Sequence, residues 1–250
     1  MAADTPSSKI RLDVLLVARG LADTRDWAQR LIRAGEVRVN GQVVETPSKL
    51  YPADVEITVA NPPKYVSRGG FKLEAALDQF HIDPFDLTCA DVGSSTGGFT
   101  DCLLQRGARR VYAIDVGQHQ LHWKLRNNPR VVVMEQINAR YLETLPEPID
   151  LAVIDVSFIS LTLILPKVFA WLRAPAGQVI ALIKPQFEAG PNQVGKGGIV
   201  RDPAVHQHVI DAISAFCAAH GWQRCGLIES PLLGAEGNKE FLIWLGRAQA

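Results

Sequence analysis

The chain has 250 residues, of which 47% are apolar, and it carries 26 Lys and Arg against 26 Asp and Glu. This length allows one large domain, or a medium domain joined to a small one. The zero net charge gives no sign of a nucleic-acid partner, so any basic surface must be local. The N-terminus lacks the apolar run of a secretory signal, and the apolar stretch 156–166 is shorter than the roughly 20 residues of a membrane span. We expect a cytoplasmic protein without a membrane partner.

The four cysteines give no sign of a metal site. Cys89, Cys102, Cys217 and Cys225 match neither a CxxC zinc motif nor a dense disulfide framework. Cys89 and Cys217 lie in apolar segments, as small core residues do. We therefore expect no metal.

Residues 9–60 are predicted to form a small unit after a disordered tail, residues 1–8. Its first helix presents leucines on one face and ends near Gly20. Thr24 is a plausible N-cap for a second helix that ends at Gly35. The alternating stretch Val37–Val44 surrounds an Asn-Gly pair, which is typical of a hairpin closed by a type I′ turn.

The second helix separates its apolar residues from its basic ones. A basic face is most often a solvated surface, but it can also meet nucleic-acid phosphates. The order helix, basic helix, hairpin resembles the S4 RNA-binding domain. The residues that carry the resemblance are Arg11-Leu12-Asp13, Arg19-Gly20, Thr24-Arg25, Ala28, Ile32, Gly35 and Val37-Arg38-Val39-Asn40-Gly41. It implies an RNA-binding face with Arg11, Arg25, Arg30, Arg33 and Arg38 on phosphates.

Residues 61–66, which include Pro62-Pro63, are predicted to link this unit to a second domain, residues 67–250. There strands and helices alternate, which predicts a Rossmann-like α/β domain with a mostly parallel, seven-stranded sheet. The predicted strands are Thr88–Val92, Arg110–Asp115, Val131–Glu135, Leu151–Asp155, Gln178–Ile183, Gln223–Ser230 and Glu240–Leu245. The predicted helices are Gly70–Phe80, Gly98–Gln105, Leu161–Trp171 and Pro203–His220.

A buried strand, a glycine-bearing turn and a helix start follow one another at residues 88–100. Glycines let the backbone pass close to a ligand, and a helix N-terminus offers free N–H groups. The spacing is not GxGxxG, and no GK[ST] follows as in a P-loop, which leaves the DxGxxxGG loop of methyltransferases. We expect cofactor contacts from Gly93, Ser94, Ser95, Thr96, Gly97, Gly98 and Phe99.

Two later polar residues are candidates for the same ligand. Asp115 ends an apolar strand where a carboxylate can accept both hydroxyls of a ribose, although it could instead cap the next helix. Asn138 follows the third strand, where its amide could meet an adenine ring.

Four charged residues stand where apolar segments begin or end: Lys72, Asp155, Lys184 and Glu240. The carboxyl ends of strands in an open α/β sheet line the ligand crevice, so these charges are expected to meet there. Two lysines in one site would lower each other's pKa from a reference of about 10.4, and two acids would orient them. The alternative is a pair of structural salt bridges.

The second domain resembles the FtsJ class of ribose methyltransferases, and its union with an S4 unit resembles the TlyA family, whose members are also called haemolysins. The matching stretches are residues 64–73, 91–101, 154–160, 183–188 and 195–203. The resemblance implies a class I methyltransferase with Lys72, Asp155, Lys184 and Glu240 as a catalytic tetrad and Lys184 as the base. It also implies S-adenosyl-L-methionine as cofactor and a cytidine ribose of ribosomal RNA, free or in ribosomal subunits, as target. Arg68 and Lys196 are further candidates for RNA contact.

The glycine-rich segment 190–200 follows Lys184 closely. It could fold over a bound nucleotide, with Lys196 or Arg201 on a phosphate, or it could be a flexible connector.

Two other functions are possible for the whole chain. A membrane-lytic protein would need a spanning segment or a strongly amphipathic surface helix, and neither is visible. A non-catalytic RNA-binding factor would not need the intact glycine loop and tetrad.

Overall fold

The structure is a computed structural model that describes residues 9–22, 24–60 and 64–248. The predicted tail at residues 1–8 and the start of the predicted linker, residues 61–63, lie outside the described residues. The chain divides into two compact units, Met1–Ser67 and Arg68–Ala250.

The first unit is a small α+β fold with two short sheets. Strand β2 pairs with β3 and β5 in one antiparallel sheet, and β1 pairs with β4 in the other. Its elements are β1 (Ile10–Arg11), α1 (Leu12–Ala18), α2 (Arg25–Arg33), β2 (Val37–Val39), β3 (Gln42–Val43), β4 (Leu50–Tyr51) and β5 (Ile57–Val59). The predicted cap is confirmed, because Trp27 N–H donates to Thr24 Oγ1 at 3.1 Å. The Asn-Gly turn is confirmed too, with φ of 48° at Asn40 and 78° at Gly41.

A buried carboxylate joins the two helices of this unit. The Asp13 side chain is 0% exposed and accepts from Arg11 at 2.8 Å and Arg25 at 3.0 Å. Gln29 Nε2 donates to the same carboxylate at 2.9 Å. The Arg11 guanidinium, helped by Arg25 and Gln29, holds the pKa of Asp13 well below its ordinary value despite its burial. Burying this charge is tolerated because it is multiply paired.

Asp13→Asn should lower the stability of the first unit by about 2–3 kcal/mol, because two arginines lose their counter-charge. Amide hydrogen exchange in residues 12–33 of the full chain measures this loss. The control is Asp26→Asn in α2, the other helix of this unit. Asp26 is 74% exposed and pairs with Arg30 at 3.0 Å, and its loss should cost under about 0.5 kcal/mol. Equal effects of the two substitutions would contradict a stabilising role of the Asp13 ion pairs.

The second unit has one seven-stranded sheet in the order β11-β12-β10-β9-β6-β7-β8. The predicted mostly parallel sheet is confirmed, with β12 antiparallel between β10 and β11. Its strands are β6 (Thr88–Val92), β7 (Arg110–Ile114), β8 (Val131–Met134), β9 (Leu151–Ile154), β10 (Gln178–Ile183), β11 (Trp222–Glu229) and β12 (Phe241–Arg247). Its α-helices are α3 (Gly69–Phe80), α4 (Gly98–Gln105), α5 (Trp123–Arg126), α6 (Leu165–Trp171), α7 (Pro185–Glu188) and α8 (Pro203–Ala219). One-turn 3-10 helices lie at Ala139–Tyr141, Leu161–Leu163, Pro191–Gln193 and Ala235–Gly237.

Central strands β6 and β9 are buried along their whole length, as expected for strands that are covered on both faces. The predicted helix Leu161–Trp171 was wrong in one respect. It is split into a 3-10 turn and α6, with Pro166 in the first turn of α6. Proline lacks the N–H that would continue a helix through this point. Among the described residues, no helix is both long enough and apolar enough to cross a bilayer.

Asp91 on β6 is a buried acid that forms no ion pair with any residue that the structure describes. Thr100 donates to its Oδ2 through the backbone N–H at 2.9 Å and through Oγ1 at 2.6 Å. Its Oδ1 is buried and has no hydrogen-bond partner among the described residues. Desolvation therefore dominates and raises the pKa of Asp91 to about 7. The same hydrogen bonds fix the start of α4 to the strand that precedes it.

The raised pKa of Asp91 predicts a pH dependence of stability. The folded chain binds this proton more tightly than the unfolded chain, so stability falls as pH rises from about 4 to about 7 and is then level. Urea unfolding of the wild type and of Asp91→Asn at pH 5 and pH 8 measures this. We expect the wild type to lose stability relative to the variant at the higher pH. A difference that does not change with pH would contradict the assignment.

Candidate functional site

A cleft of about 560 Å³ opens at the carboxyl ends of the parallel strands of the second unit. Pockets for small ligands usually span about 300–1,000 Å³. The lining residues are Val92, Gly93, Ser95, Ile114, Asp115, Val116, Gln120, Ile137, Asn138, Ala139, Asp155, Val156, Ser157, Phe158, Ile159 and Ile164. The walls are thus mainly apolar, with a few carboxylate, amide and hydroxyl groups.

Asp115 lies on the cleft wall and organises two turns. Its Oδ2 accepts from Ser95 N–H at 2.8 Å, and its Oδ1 accepts from Gly117 N–H at 2.7 Å. The alternative that Asp115 caps the following helix is wrong, because His122 caps α5. Each carboxylate oxygen keeps acceptor capacity beyond these bonds. Asn138 also lines the cleft, and its Oδ1 accepts from Arg140 N–H at 3.0 Å.

Glu135 fixes the turn that carries Gln120. Its carboxylate accepts from three consecutive backbone N–H groups, those of His119, Gln120 and Leu121, at 2.8–3.2 Å. The Arg126 guanidinium adds a fourth contact, and together they lower the pKa of Glu135 to about 2. This wall of the cleft is therefore held by charge-assisted hydrogen bonds.

The predicted glycine loop contributes less to the cleft than expected. Only Gly93 and Ser95 of that segment line it, whereas Ser94, Thr96, Gly97, Gly98 and Phe99 are absent from the lining. Gly97 packs instead against two leucines: a Cβ there would lie 2.2 Å from Leu125 Cδ1 and 2.8 Å from Leu121 Cδ1. Its φ of 99° also requires glycine. Past Ser95 the chain turns inward to begin α4, so the later loop residues support the turn.

The four predicted charged residues form two ion pairs. Lys184 Nζ lies 2.6 Å from Asp155 Oδ1 and donates to Ser157 Oγ at 2.9 Å. Lys72 Nζ lies 2.6 Å from Glu240 Oε2, and these side chains are only 12% and 2% exposed. Each ammonium group is thus held by a carboxylate with little access to water. Two cations and two anions give the cluster no net charge.

The sheet brings both pairs to one edge. Strands β10 and β12 pair Ile183 with Phe241, so one step further Lys184 and Glu240 lie at facing register positions. Asp155 directly follows β9, which is parallel to β10, and it lines the cleft. A Cβ on Gly93 would lie 2.4 Å from the Asp155 carbonyl oxygen, so the glycine turn and the Lys184–Asp155 pair are in direct contact. Of the four charged residues, Asp155 alone lines the cleft, and Lys72, Lys184 and Glu240 are absent from its lining.

Phe158 is a cleft residue that the sequence analysis missed. Its side chain is 90% exposed although it stands in an apolar run, and its φ is 64°. The left-handed region is uncommon for a bulky residue and persists only where neighbours hold it. Its ring contacts Phe187 with 5.0 Å between centroids. An exposed aromatic ring beside a polar site is suited to stacking on a planar ligand.

The glycine-rich segment is anchored rather than free over part of its length. Buried Asn238 donates to the Gly198 carbonyl and accepts from Val200 N–H, both at 3.0 Å. Gly195 N–H bonds the Ile199 carbonyl at 3.0 Å and closes a tight turn. Lys196 is exposed within this turn.

The predicted RNA-binding arginines of the first unit fall into two groups. Arg11 and Arg25 are bound to Asp13 and are 39% and 55% exposed. The others project from α2 and β2: Arg30, Arg33 and Arg38 are exposed. In the second unit, Arg68 is exposed at the start of α3. Within the described part of the chain, no group of three or more His, Cys, Asp or Glu side chains is placed to hold a metal ion.

Comparisons with known proteins agree with this architecture. A family model described as FtsJ-like methyltransferase matches residues 65–247, and an S4 domain model matches residues 10–57. A candidate rRNA methyltransferase of Bacillus subtilis, YqxC, is 52% identical over 97% of this chain and 89% of its own. The 16S/23S rRNA (cytidine-2'-O)-methyltransferase TlyA of Mycobacterium tuberculosis is 44% identical over 95% of this chain and 90% of its own.

A solved structure from Streptococcus thermophilus, described as a candidate hemolysin, has a TM-score of 0.74 and 45% identity. It covers 98% of this chain, and this chain covers 90% of it. The sheet order, the paired charges at its edge and these matches lead to one assignment. The chain belongs to the FtsJ-like methyltransferase family and carries an S4 domain ahead of the methyltransferase unit.

Proposed function

We propose that this protein transfers a methyl group from S-adenosyl-L-methionine to the 2′-hydroxyl of a ribose in ribosomal RNA, with cytidine as the target nucleotide. The observation that carries the proposal is the Lys184–Asp155 pair: its charged atoms lie 2.6 Å apart, Asp155 lines the cleft, and Lys184 faces Glu240 of the Lys72–Glu240 pair in the strand register. The rRNA methyltransferase names of the relatives support the choice of substrate. Such a substrate would place the protein in the cytoplasm.

The chemistry of the cleft fits the cofactor. The Asp115 carboxylate has acceptor capacity left for ribose hydroxyls, and the Asn138 amide can pair with an adenine edge. Apolar side chains of Val116, Ile137 and Ile159 line the space around them. We propose that Gly93 and Ser95 contact the cofactor through their backbone, and that the other residues of the segment up to Phe99 hold this turn in place. When bound, S-adenosyl-L-methionine supplies an electrophilic methyl group.

In this proposal Lys184 acts on the ribose hydroxyl. The ammonium group of the resting ion pair first releases one proton to water; the resulting amine then accepts the hydroxyl proton and, again as ammonium, stabilises negative charge on the oxygen. Asp155 Oδ1 and Ser157 Oγ, at 2.6 and 2.9 Å, fix where the Lys184 Nζ points. Lys72 and Glu240 hold the neighbouring edge of the site. Correct placement of these groups supplies much of the rate gain in such reactions.

RNA would be held by phosphate contacts and by stacking. We propose Arg30, Arg33 and Arg38 as phosphate contacts of the S4 unit, with Arg11, Arg25, Arg68 and Lys196 as further contacts. Phe158 would stack on the base of the target nucleotide at the cleft mouth. We also propose residues 9–60 and 67–250 as the functional domains and residues 61–66 as their linker. The family matches at 10–57 and 65–247 support these limits.

The other two functions that we weighed explain less of the site. A lytic protein has no use for two ion pairs beside a ligand cleft. A non-catalytic RNA-binding factor has no need of a lysine held by a carboxylate and a hydroxyl on the cleft wall. Methyl transfer uses all of these features.

Lys184→Ala should reduce the single-turnover rate of methyl transfer by about 10²–10⁴-fold, the usual contribution of a positioned acid or base. Its affinity for S-adenosyl-L-methionine should be little changed. The assay follows the labelled methyl group into 30S and 50S subunits from cells that lack the gene. The control is Lys167→Ala. Lys167 is a partly exposed lysine that forms an ion pair with Glu143, and its replacement should leave the rate of methyl transfer at the wild-type value. Transfer by Lys184→Ala at more than about a tenth of the wild-type rate would exclude Lys184 as the base.

Replacing Arg30, Arg33 and Arg38 together by Ala should weaken binding to ribosomal subunits about 10–100-fold and leave cofactor binding unchanged. Each of these side chains is exposed and is proposed to meet a phosphate. Filter binding of labelled subunits measures the effect. Arg224→Ala, which removes one exposed arginine on β11 of the other unit, is the control for loss of positive charge outside the proposed RNA face. Equal affinity of the triple variant and the control would refute the assigned RNA face.

A further inference from the structure

Two chain segments meet at the reactive end of the cleft. We call Asp155–Leu161, which follows β9, the cleft-wall segment. Residues 155–159 of this segment line the cleft, and the segment ends at the first residue of a one-turn 3-10 helix. Beside it, Lys184 and α7 follow β10. The geometry of the proposed base therefore depends on how these two segments are joined.

The two segments are joined by contacts at three positions along the cleft-wall segment. Lys184 binds the beginning of the cleft-wall segment through Asp155 and Ser157. Phe187 contacts its middle through the ring of Phe158. Glu188 binds its end. One carboxylate oxygen accepts from Ser160 Oγ at 2.6 Å, and the other accepts from Leu161 N–H at 2.8 Å.

The position of the Glu188 carboxylate is unfavourable for the stability of the fold. Burial raises the pKa of Glu188 above its ordinary value, although Leu161 N–H and Ser160 Oγ donate to it. No ion pair to Glu188 is present among the described residues. A half-buried acid without a counter-charge costs stability unless its hydrogen bonds offset the loss of hydration. The two bonds that it makes both end on the cleft-wall segment.

The segment needs such restraint because of Phe158. With φ at 64° this residue occupies a strained region of backbone conformation. Strain of this kind relaxes unless the chain is fixed on both sides. Ser157 is fixed by Lys184 on one side, and Ser160 and Leu161 are fixed by Glu188 on the other. Without the second restraint, the exposed ring would be free to leave the cleft mouth.

We infer that Glu188 is a positioning residue for methyl transfer: by holding Ser160 and Leu161 it keeps Phe158 at the cleft mouth and Ser157 on Lys184. This inference rests on the proposed function. It requires the reach of the Glu188 side chain and its two hydrogen bonds, and it does not require its negative charge.

Two conservative variants separate reach from charge. Glu188→Gln keeps the length: its oxygen can accept from Leu161 N–H, and its amide can donate to Ser160 Oγ, whose proton then turns to Thr162 Oγ1 at 2.8 Å. Glu188→Asp keeps the charge but is shorter by one methylene group and cannot reach both partners. We expect Gln to transfer within about threefold of the wild type at saturating cofactor and subunits, and Asp to lose at least about 10-fold.

A double-mutant cycle with Phe158→Ala tests whether Glu188 affects methyl transfer through Phe158. If Glu188 acts by holding Phe158, then Glu188→Asp should reduce transfer much less in the Phe158→Ala background than in the wild type. A merely structural role would lower the melting temperature and the fraction of protein that binds cofactor, without this coupling. Rates are therefore expressed per cofactor-binding site, which calorimetric titration with S-adenosyl-L-methionine measures.

The outcomes are distinct. Gln near the wild type, Asp impaired and the two substitutions coupled support the inference. Asp active with Gln inactive would show that charge matters and would overturn it, as would wild-type rates in both variants or purely additive effects. If the wild type itself transfers no methyl group to either subunit, the proposed function fails, and the inference falls with it.

Discussion

A buried ammonium group has to meet a carboxylate, and this requirement organises the methyltransferase unit. Lys184 and Lys72 each lie 2.6 Å from an acid at one edge of the sheet. Parallel strands deliver Asp155 and Lys184 to that edge because both residues follow carboxyl ends. Glu240 reaches the same edge only because β12 is antiparallel and begins there. The seventh strand therefore completes the charge balance of the site as well as the sheet.

Two buried acids, Asp13 and Asp91, and two half-buried ones, Glu135 and Glu188, show how surroundings decide the properties of a carboxyl group. Asp13 is paired with Arg11 and Arg25 and its pKa is low, whereas Asp91 accepts hydrogen bonds from Thr100 and its pKa is near 7. Glu135 accepts three backbone N–H groups and an arginine, and Glu188 accepts one N–H and one hydroxyl. Acids with cations stabilise the fold at neutral pH. Acids without them cost stability and are found where they restrain functional segments.

Much of this architecture could be predicted because its signals are local. Continuous apolar runs predict the central strands, and the Asn-Gly pair predicts the hairpin of the S4 unit. The four charges of the tetrad stand at the ends of such runs, so the topology alone brings them together. Position after a strand was enough to place Asp115 and Asn138 on the cleft wall.

The features that the sequence did not predict depend on contacts between residues that are far apart in the chain. Phe158 is a large apolar residue in an apolar run, so its sequence context predicts a core position. It is exposed because its backbone adopts a strained φ that neighbouring segments hold. The residues from Thr96 to Phe99 follow the glycine turn, and no sequence pattern shows that they point inward. Glu188 bonds a segment 27 and 28 positions earlier in the chain. Such contacts exist only once the sheet has formed.

The Asp13 cluster has a consequence for how binding measurements on the S4 unit are understood. Two of its arginines already share a buried carboxylate, so those three groups together present a single net positive charge to a polyanion. The salt dependence of nucleic-acid binding reports released counterions, which follow net charge and not the number of guanidinium groups. A count of contacts taken from a salt titration will therefore be smaller than the count of arginines that touch the backbone.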